Sequence, residues 1–335
     1  MLAAVICGVF VTIAEPVAIP LLRRAAIDTP NARSSHSVPT PRGGGAPIAA
    51  GLVVAVLVLL HGTVAVTFAI AVAAFAAMGL ADDLAGLPAG RRLAMQGLAS
   101  LAIAGVLASH TAMPPAVLAA AVVVVAVWLI GFVNAFNFMD GVNGISGAHA
   151  LIGGVMYACL GWWRPDAFLA AAGAAVAAGG LAFLPWNAVR ARVFLGDVGS
   201  YGLGVALAVL AAYSVFRGIP LEASLAPLGL YLADTGWTLQ RRIRAGERVF
   251  EAHRTHTYQQ LCDVGWSHQR VTAATGGVTA ALCLFGAASL TGHPALRAAG
   301  DLAALGLLVV YLRSPALLGG RADALPEVAV EVEVA

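Results

Sequence analysis

Ala116-Val-Leu-Ala-Ala-Ala-Val-Val-Val-Val-Ala-Val-Trp-Leu-Ile-Gly-Phe-Val133 runs straight into Asn134-Ala-Phe-Asn-Phe-Met-Asp-Gly-Val-Asn-Gly144. The first part is long enough to cross a bilayer, whose hydrocarbon core takes about 20 apolar helical residues. The second places Asn134, Asn137, Asp140 and Asn143 where that helix meets water, with Gly141 and Gly144 to turn the chain. Three amides and a carboxylate at a membrane exit suit a polar ligand carrying phosphate or sugar better than they suit lipid.

The same alternation recurs along the whole chain. Hydrophobic residues make up 60% and charged residues 11%, against about 25% charged in soluble domains. Apolar runs of near-spanning length begin at Leu2, Ala46, Val64, Leu93, Ala116, Ala148, Ala167, Gly199, Leu221, Val271 and Ala298. This predicts an all-α polytopic membrane protein of ten or eleven spans, with Met1–Leu22 as the first span rather than a cleaved leader. A single membrane domain over 1–313 and a flexible cytoplasmic tail over 314–335 follow. Arginines gather in alternate loops, around Arg23–Arg42, Arg91-Arg92, Arg190–Arg192 and Arg241–Arg254, against Arg164, Arg217 and Arg297 in the other set. The positive-inside rule puts the first set in the cytoplasm, the amino terminus outside and the carboxyl terminus inside. All 19 basic side chains are arginine, and the net charge of +2 gives no reason to expect nucleic acid. Cys7, Cys159, Cys262 and Cys283 form no metal or disulfide spacing.

Five inner loops, about 23–45, 81–92, 134–147, 185–198 and 240–269, hold the polar chemistry. The first carries Arg33, His36 and Pro39-Thr-Pro-Arg-Gly-Gly-Gly45, where Arg42 can meet phosphate and the Gly44 region can offer backbone amides to an anion; a plain hinge is the competing reading. The second opens on Asp82-Asp83, adjacent carboxylates that need a cation, a proton or a basic partner, unless they form a solvated helix end. The third is the opening segment. The fourth, Phe194-Leu-Gly-Asp-Val-Gly-Ser200, can present Asp197, Ser200 and helix-start amides to a metal-bound phosphate, or use Asp197 simply as a helix N-cap.

The fifth contains Glu251-Ala-His-Arg-Thr-His256, with His253 and His256 three apart and Arg254 between them. Zinc lacks a third ligand at a usual spacing, so phosphate contact fits the neighbouring arginines better. Two acids fall inside apolar runs. Asp234, near the inner end of its run, can face the same cavity; Glu15 has no evident partner.

Taken together, Pro39–Gly45, Asp82-Asp83, Asn134–Gly141, Phe194–Ser200 and His253–His256 resemble, in order and spacing, the polyprenyl-phosphate N-acetylhexosamine-1-phosphate transferases of the MraY/WecA-like superfamily. The resemblance implies that polyprenyl phosphate attacks the β-phosphate of a UDP-N-acetylhexosamine, giving a polyprenyl-diphosphate sugar and UMP. Mg²⁺ is the implied cofactor, with Mn²⁺ as an alternative, and the implied location is the inner membrane with the site on its cytoplasmic face. Two anionic substrates need such charge neutralisation. Asp197 would be the main metal ligand with Asp82 and Asp83, one of which would handle a proton. Asn134, Asn137, Asp140 and Asn143 would hold the nucleotide, and Arg42, Gly44, Ser200, Arg254 and Asp234 would contact substrate. His253 and His256 would serve the phosphates or sugar.

Many family members have an aspartate where this chain has Asn143, and the muramoyl-peptide branch has a fuller histidine run. Both differences point toward enzymes that start O-antigen or other surface glycans and leave the donor sugar open. A homodimer is compatible with this reading. A secondary transporter, the rival class, would bury its acids near the midplane in paired halves; here they cluster in loops on one side.

Overall fold

The computed structural model describes residues 1–29, 38–247 and 254–319. Arg33, His36 and His253, and the end of the expected tail, therefore lie outside the described residues. Helices make up nearly everything else, as the composition predicts. They are α1 (Leu2–Ala25), α2 (Gly45–Leu59), α3 (Thr63–Ala85), α4 (Ala89–Ser109), α5 (Pro115–Met139), α6 (Ile145–Trp163), α7 (Ala167–Asn187) and α8 (Gly196–Phe216). The short α9 (Leu221–Leu225) is followed by α10 (Gly229–Arg244), α11 (Thr257–Asp263), α12 (His268–Ala287) and α13 (Pro294–Leu317). Two strands, β1 (Ile27–Asp28) and β2 (Thr40–Pro41), pair antiparallel beyond the end of α1.

Nine of the described helices are long and apolar enough to span a membrane. Two expected spans differ. At 15 residues, α2 rises only about 22 Å, because the chain turns extended at Leu60 and breaks at Gly62, φ +112°, before α3. The run from Leu221 is broken into α9, a 3₁₀ turn at Ala226–Leu228 containing Pro227, and α10. Proline lacks the N–H that would continue the helix. The carboxyl end differs as well: α13 continues to Leu317, past the expected tail boundary at 314.

The centre of the bundle is α8, where every residue from Val198 to Ala212 is buried. Small residues permit this enclosure. A Cβ on Gly79 of α3 would lie 2.1 Å from the Asp197 carbonyl oxygen, and one on Gly45 would lie 2.0 Å from Gly199 Cα. Without a hydrophobic drive between helices in lipid, such backbone approach is the main source of packing energy. On the other side of α8, the Trp128 indole N–H donates to the Ala208 carbonyl at 3.0 Å, tying α5 in. In α1, Glu15 lies on a buried stripe with Cys7, Val11 and Ile19.

Candidate active site

The amino-terminal turn of α8 meets the ends of α2, α3 and α5, bringing four of the five sequence motifs together. Asp83 accepts the backbone N–H of Asp197 on Oδ1 and of Val198 on Oδ2, both at 3.0 Å. A carboxylate from α3 thus serves the orphan donors that begin α8. This decides against the N-cap reading of Asp197, which lies inside the helix after Leu195 and Gly196. The Arg42 side chain donates to the Asp83 carbonyl, and its Nε lies 3.6 Å from Asp83 Oδ1.

Asp82 is equally occupied. Its Oδ1 accepts the Leu87 N–H at 2.8 Å, and its Oδ2 accepts the Tyr201 hydroxyl at 2.9 Å and Arg92 Nη1 at 3.0 Å. Asp197 differs from both. Its Oδ1 accepts Asn137 Nδ2 at 2.7 Å, and its carboxyl group lies within hydrogen-bond reach of that of Asp82. The charges of Asp82 and Asp83 act on this carboxylate directly, so an added cation is favoured beside it.

Several expected ligand contacts instead build the frame. Gly43 and Gly44 donate their N–H groups to the Phe194 carbonyl at 3.1 and 2.9 Å, and Gly45 donates to that of Leu195 at 2.8 Å. Gly44 therefore offers no amide to an anion; a Cβ there would lie 2.9 Å from Phe183 and Val193. Ser200 is fully buried and its Oγ accepts Asn137 Nδ2 at 2.9 Å, so it positions the amide rather than meeting substrate. Asn134 donates to Gln96 Oε1 at 2.7 Å and to the Ile130 carbonyl. Asp234, on α10, is also fully buried, surrounded by donors from the start of α11 and from α13. His256 is buried beside it, with Nδ1 at 3.2 Å from Asp234 Oδ1.

The opening segment keeps a ligand-accessible part. Asp140 is half-buried, and its Oδ1 accepts the Ser146 hydroxyl at 2.7 Å. Burial pushes its carboxyl up to about 6, the Ser146 hydroxyl opposing and the Asp83 charge adding to the rise. Gly144, at φ +82°, begins α6 and donates to Asn187 Oδ1 at 2.6 Å, while Asn187 donates to the Val193 carbonyl. Asn143 emerges into a cleft of about 1250 Å³ lined also by Arg23, Arg190, Arg192, Arg254 and His268. Pro41 and Phe194 form part of its wall, and the residues next to them, Arg42 and Leu195, belong to the frame around Asp197. Arg254 pairs with Asp263 at 3.0 Å, and Arg192 lies over the Trp186 ring at 5.8 Å.

Sequence reading missed Arg92, Tyr201, Gln96, Asn187 and Tyr258. Arg92 carried a usable signal, being one helical turn before Gln96 in an otherwise apolar helix; it had been read only as a loop charge. Tyr201 carried none, since a lone tyrosine in an apolar helix is ordinary core, and Tyr258 stands in the polar fifth loop with nothing to mark its partner on α5.

Among the described residues, no three His, Cys, Asp or Glu side chains converge on a metal position. The expected three-carboxylate set is therefore not assembled, because Asp82 and Asp83 already bind protein donors. Mg²⁺ binds commonly through one or two carboxylates, keeping its other positions for water and phosphate. Asp197, whose carboxylate crowds that of Asp82 and gains from an added positive charge, fits that smaller demand.

The model for glycosyl transferase family 4 matches residues 64–215, which include the Asp82-Asp83, Asn134–Gly144 and Phe194–Ser200 motifs. The probable undecaprenyl-phosphate N-acetylglucosaminyl 1-phosphate transferase of Bacillus subtilis is 28% identical over 267 residues, covering 75% of each chain. The decaprenyl-phosphate N-acetylglucosaminephosphotransferase of Mycobacterium tuberculosis is 29% identical over 320 residues, covering 81% of this chain and 76% of its own. The phospho-N-acetylmuramoyl-pentapeptide-transferase of Enterococcus faecalis is 31% identical over a shorter stretch, 43% of this chain and 44% of its own. Motif order, the matched core and these relatives agree: the chain is similar to the polyprenyl-phosphate hexosamine-1-phosphate transferases of glycosyl transferase family 4.

Proposed function

We propose that this protein transfers N-acetylglucosamine-1-phosphate from UDP-N-acetylglucosamine to polyprenyl phosphate at the cytoplasmic face of the inner membrane, beginning a surface glycan. The observation that carries the reading is the Asp197 carboxylate, held by Asn137 and gathered with those of Asp82 and Asp83 beside an arginine-lined cleft. The names of the Bacillus and Mycobacterium relatives support the donor sugar. The clustering of Arg23, Arg92, Arg190 and Arg192 at the site end of the helices supports the cytoplasmic face.

A phosphate oxygen of the lipid attacks the sugar-bearing β-phosphorus; the bond from that phosphorus to the bridging oxygen breaks and UMP leaves. Both reactants are anions, so positioning and charge neutralisation dominate the barrier. Asp197 would hold Mg²⁺, which supplies positive charge to the diphosphate when bound. Arg190, Arg192 and Arg23 neutralise and orient the nucleotide phosphates from the cleft wall, and Asn143 and Asp140 bond polar edges of base or sugar. Asp83 and Arg42 fix the start of α8, and Asp82 with Arg92 and Tyr201 fixes the end of α3. The lipid phosphate is already largely ionised at neutral pH, so no strong base is required.

Membranes containing the protein, given Mg²⁺, polyprenyl phosphate and UDP-N-acetylglucosamine, should release UMP and form a lipid-linked sugar phosphate. The muramoyl-pentapeptide donor and other UDP-N-acetylhexosamines belong in the same assay. If UMP appears only with one of those, the donor assignment is replaced; if none yields UMP, the reaction class fails.

A further inference from the structure

The turn that joins α5 to α6 is gripped at both ends by later parts of the chain. At its start, the Tyr258 hydroxyl, from α11, donates to the Phe138 carbonyl at 3.0 Å. That carbonyl lies in the last turn of α5, where a helix supplies no donor of its own. At its end, the Thr272 hydroxyl, from α12, donates to the Asn143 carbonyl at 2.7 Å, and the Asn143 N–H points to His268 Nδ1 at 3.4 Å. Asp140 and Asn143, the two side chains assigned to the sugar nucleotide, belong to the stretch so held.

Steric fit accompanies the hydrogen bonds. Tyr258 is buried, and its hydroxyl fills the space where Gly141 lacks a side chain, 2.1 Å from an added Cβ. Thr272 Cγ2 lies 3.4 Å from a Cβ placed on Gly144. Both gripping elements are anchored in turn. The Tyr258 N–H donates to Asp234 Oδ2 at 3.3 Å, and Asp234 accepts the Tyr311 hydroxyl from α13 at 2.8 Å. Gln269, in the first turn of α12, donates to the Val189 carbonyl at 2.9 Å. Val189 and Asn143 line the same cleft, so the start of α12 joins two of its walls. Tyr258 and Thr272 themselves stand behind the lining residues.

We propose that Tyr258 and Thr272 are positioning residues for the donor site: they fix the backbone from Phe138 to Asn143, so that Asp140 and Asn143 meet the sugar nucleotide already in place. The donor's part in this rests on the transferase reading; the two grips do not. Preforming a turn removes the ordering cost that binding would otherwise carry. Loosening either grip therefore weakens the donor and not the lipid acceptor. The proposal gives α11 and α12 a function, beyond the matched residues 64–215.

The test pairs steady-state kinetics with backbone hydrogen exchange, read by mass spectrometry on the protein in detergent. Tyr258→Phe and Thr272→Val each delete one hydroxyl and keep the side chain's shape. Each should raise KM for UDP-N-acetylglucosamine about 3- to 10-fold, the scale of one neutral hydrogen bond. The same variants should hold kcat, and KM for polyprenyl phosphate, within about twofold. Exchange over 138–144 should quicken by a similar factor while α8 stays unchanged. Thr272→Ser, which keeps the hydroxyl, should retain the original KM and exchange. Thr275→Val, which deletes a hydroxyl bonded to carbonyls of α12 itself, should move neither. The proposal is overturned if both variants leave exchange over 138–144 unchanged, if KM for the donor does not move, if KM for the lipid rises equally, or if Thr272→Ser is as impaired as Thr272→Val. Should Tyr258→Phe fail to fold, the Thr272 variants decide. Absence of UMP release from every sugar nucleotide would count against the reaction class, and the exchange measurement would still decide whether the grips hold the turn.

Discussion

The carboxylate of Asp83 holds Asp197 by its backbone, not by its side chain: Asp83 Oδ1 receives the Asp197 N–H at 3.0 Å, leaving the Asp197 carboxylate to meet Asn137 and Asp82. Two aspartates that look interchangeable in the sequence therefore do different work. One caps a helix, and the other is presented by it.

This division predicts opposite behaviour for the two amide variants. Asp197→Asn should lower turnover by on the order of 10²–10³-fold, the scale for removing a preorganised charge-stabilising group, while the melting temperature in detergent stays unchanged. It should also abolish any rise in melting temperature produced by added Mg²⁺ in the unsubstituted protein. Asp83→Asn replaces one acceptor by a donor at the start of α8 and should destabilise the fold by about 1–2 kcal/mol, with a visible drop in melting temperature. Equal stability of the two variants would contradict the assignment.

Close helix approach gives a second contrast. Gly79→Ala puts a methyl group 2.1 Å from the Asp197 carbonyl, and overpacking of this kind costs about 1–3 kcal/mol. Activity should fall with stability because the displaced element carries Asp197. Gly105→Ala, where nothing lies within 4 Å, should leave both intact. Thermal denaturation and UMP release measured on the pair check this.

Acid should inactivate the enzyme through Asp140. Its carboxyl is raised to about 6 by burial, so lowering the pH through that value protonates it and removes an acceptor from the turn proposed to hold the nucleotide. A plot of log kcat/KM against pH should bend downward below about 6. Asp140→Asn should be slower at neutral pH and lack this bend; persistence of the bend would assign it to another group.

The cleft arginines should act on the donor alone. Arg192→Gln should raise KM for the sugar nucleotide about tenfold, equivalent to losing one charge-assisted hydrogen bond of about 1.5 kcal/mol. KM for polyprenyl phosphate should move less than about twofold. A larger effect on the lipid would place the acceptor, not the nucleotide, in that cleft.

The membrane fold was legible because lipid imposes a one-dimensional rule: a backbone that crosses it must be helical and apolar for about 20 residues. The break at Pro227 was less legible, since Leu221–Leu239 has enough apolar residues to pass as a span while its proline and its polar Asp234, Thr235 and Thr238 sit in the middle. The motifs were legible as a set, and Asp82, Asp83, Asn137 and Asp197 do come together. Their roles were not. Gly44, Ser200 and Asp234 read as ligand contacts because small, hydroxyl and acidic residues in a membrane protein suggest function, yet each is consumed by the frame.

By itself, then, the sequence determined the helical membrane architecture, the motif order and the family likeness, since these depend on hydropathy along the chain and on residue identity at set spacings. Tertiary structure alone decided which polar groups remain for a ligand. The Asp83 carboxylate finds its amide donor 114 residues away, and Asp234 finds the Tyr311 hydroxyl 77 residues away. Whether a buried carboxylate is a ligand or a scaffold depends on donors that fold onto it from such distances, because each polar group out of water must be satisfied and only the packed chain supplies the partner.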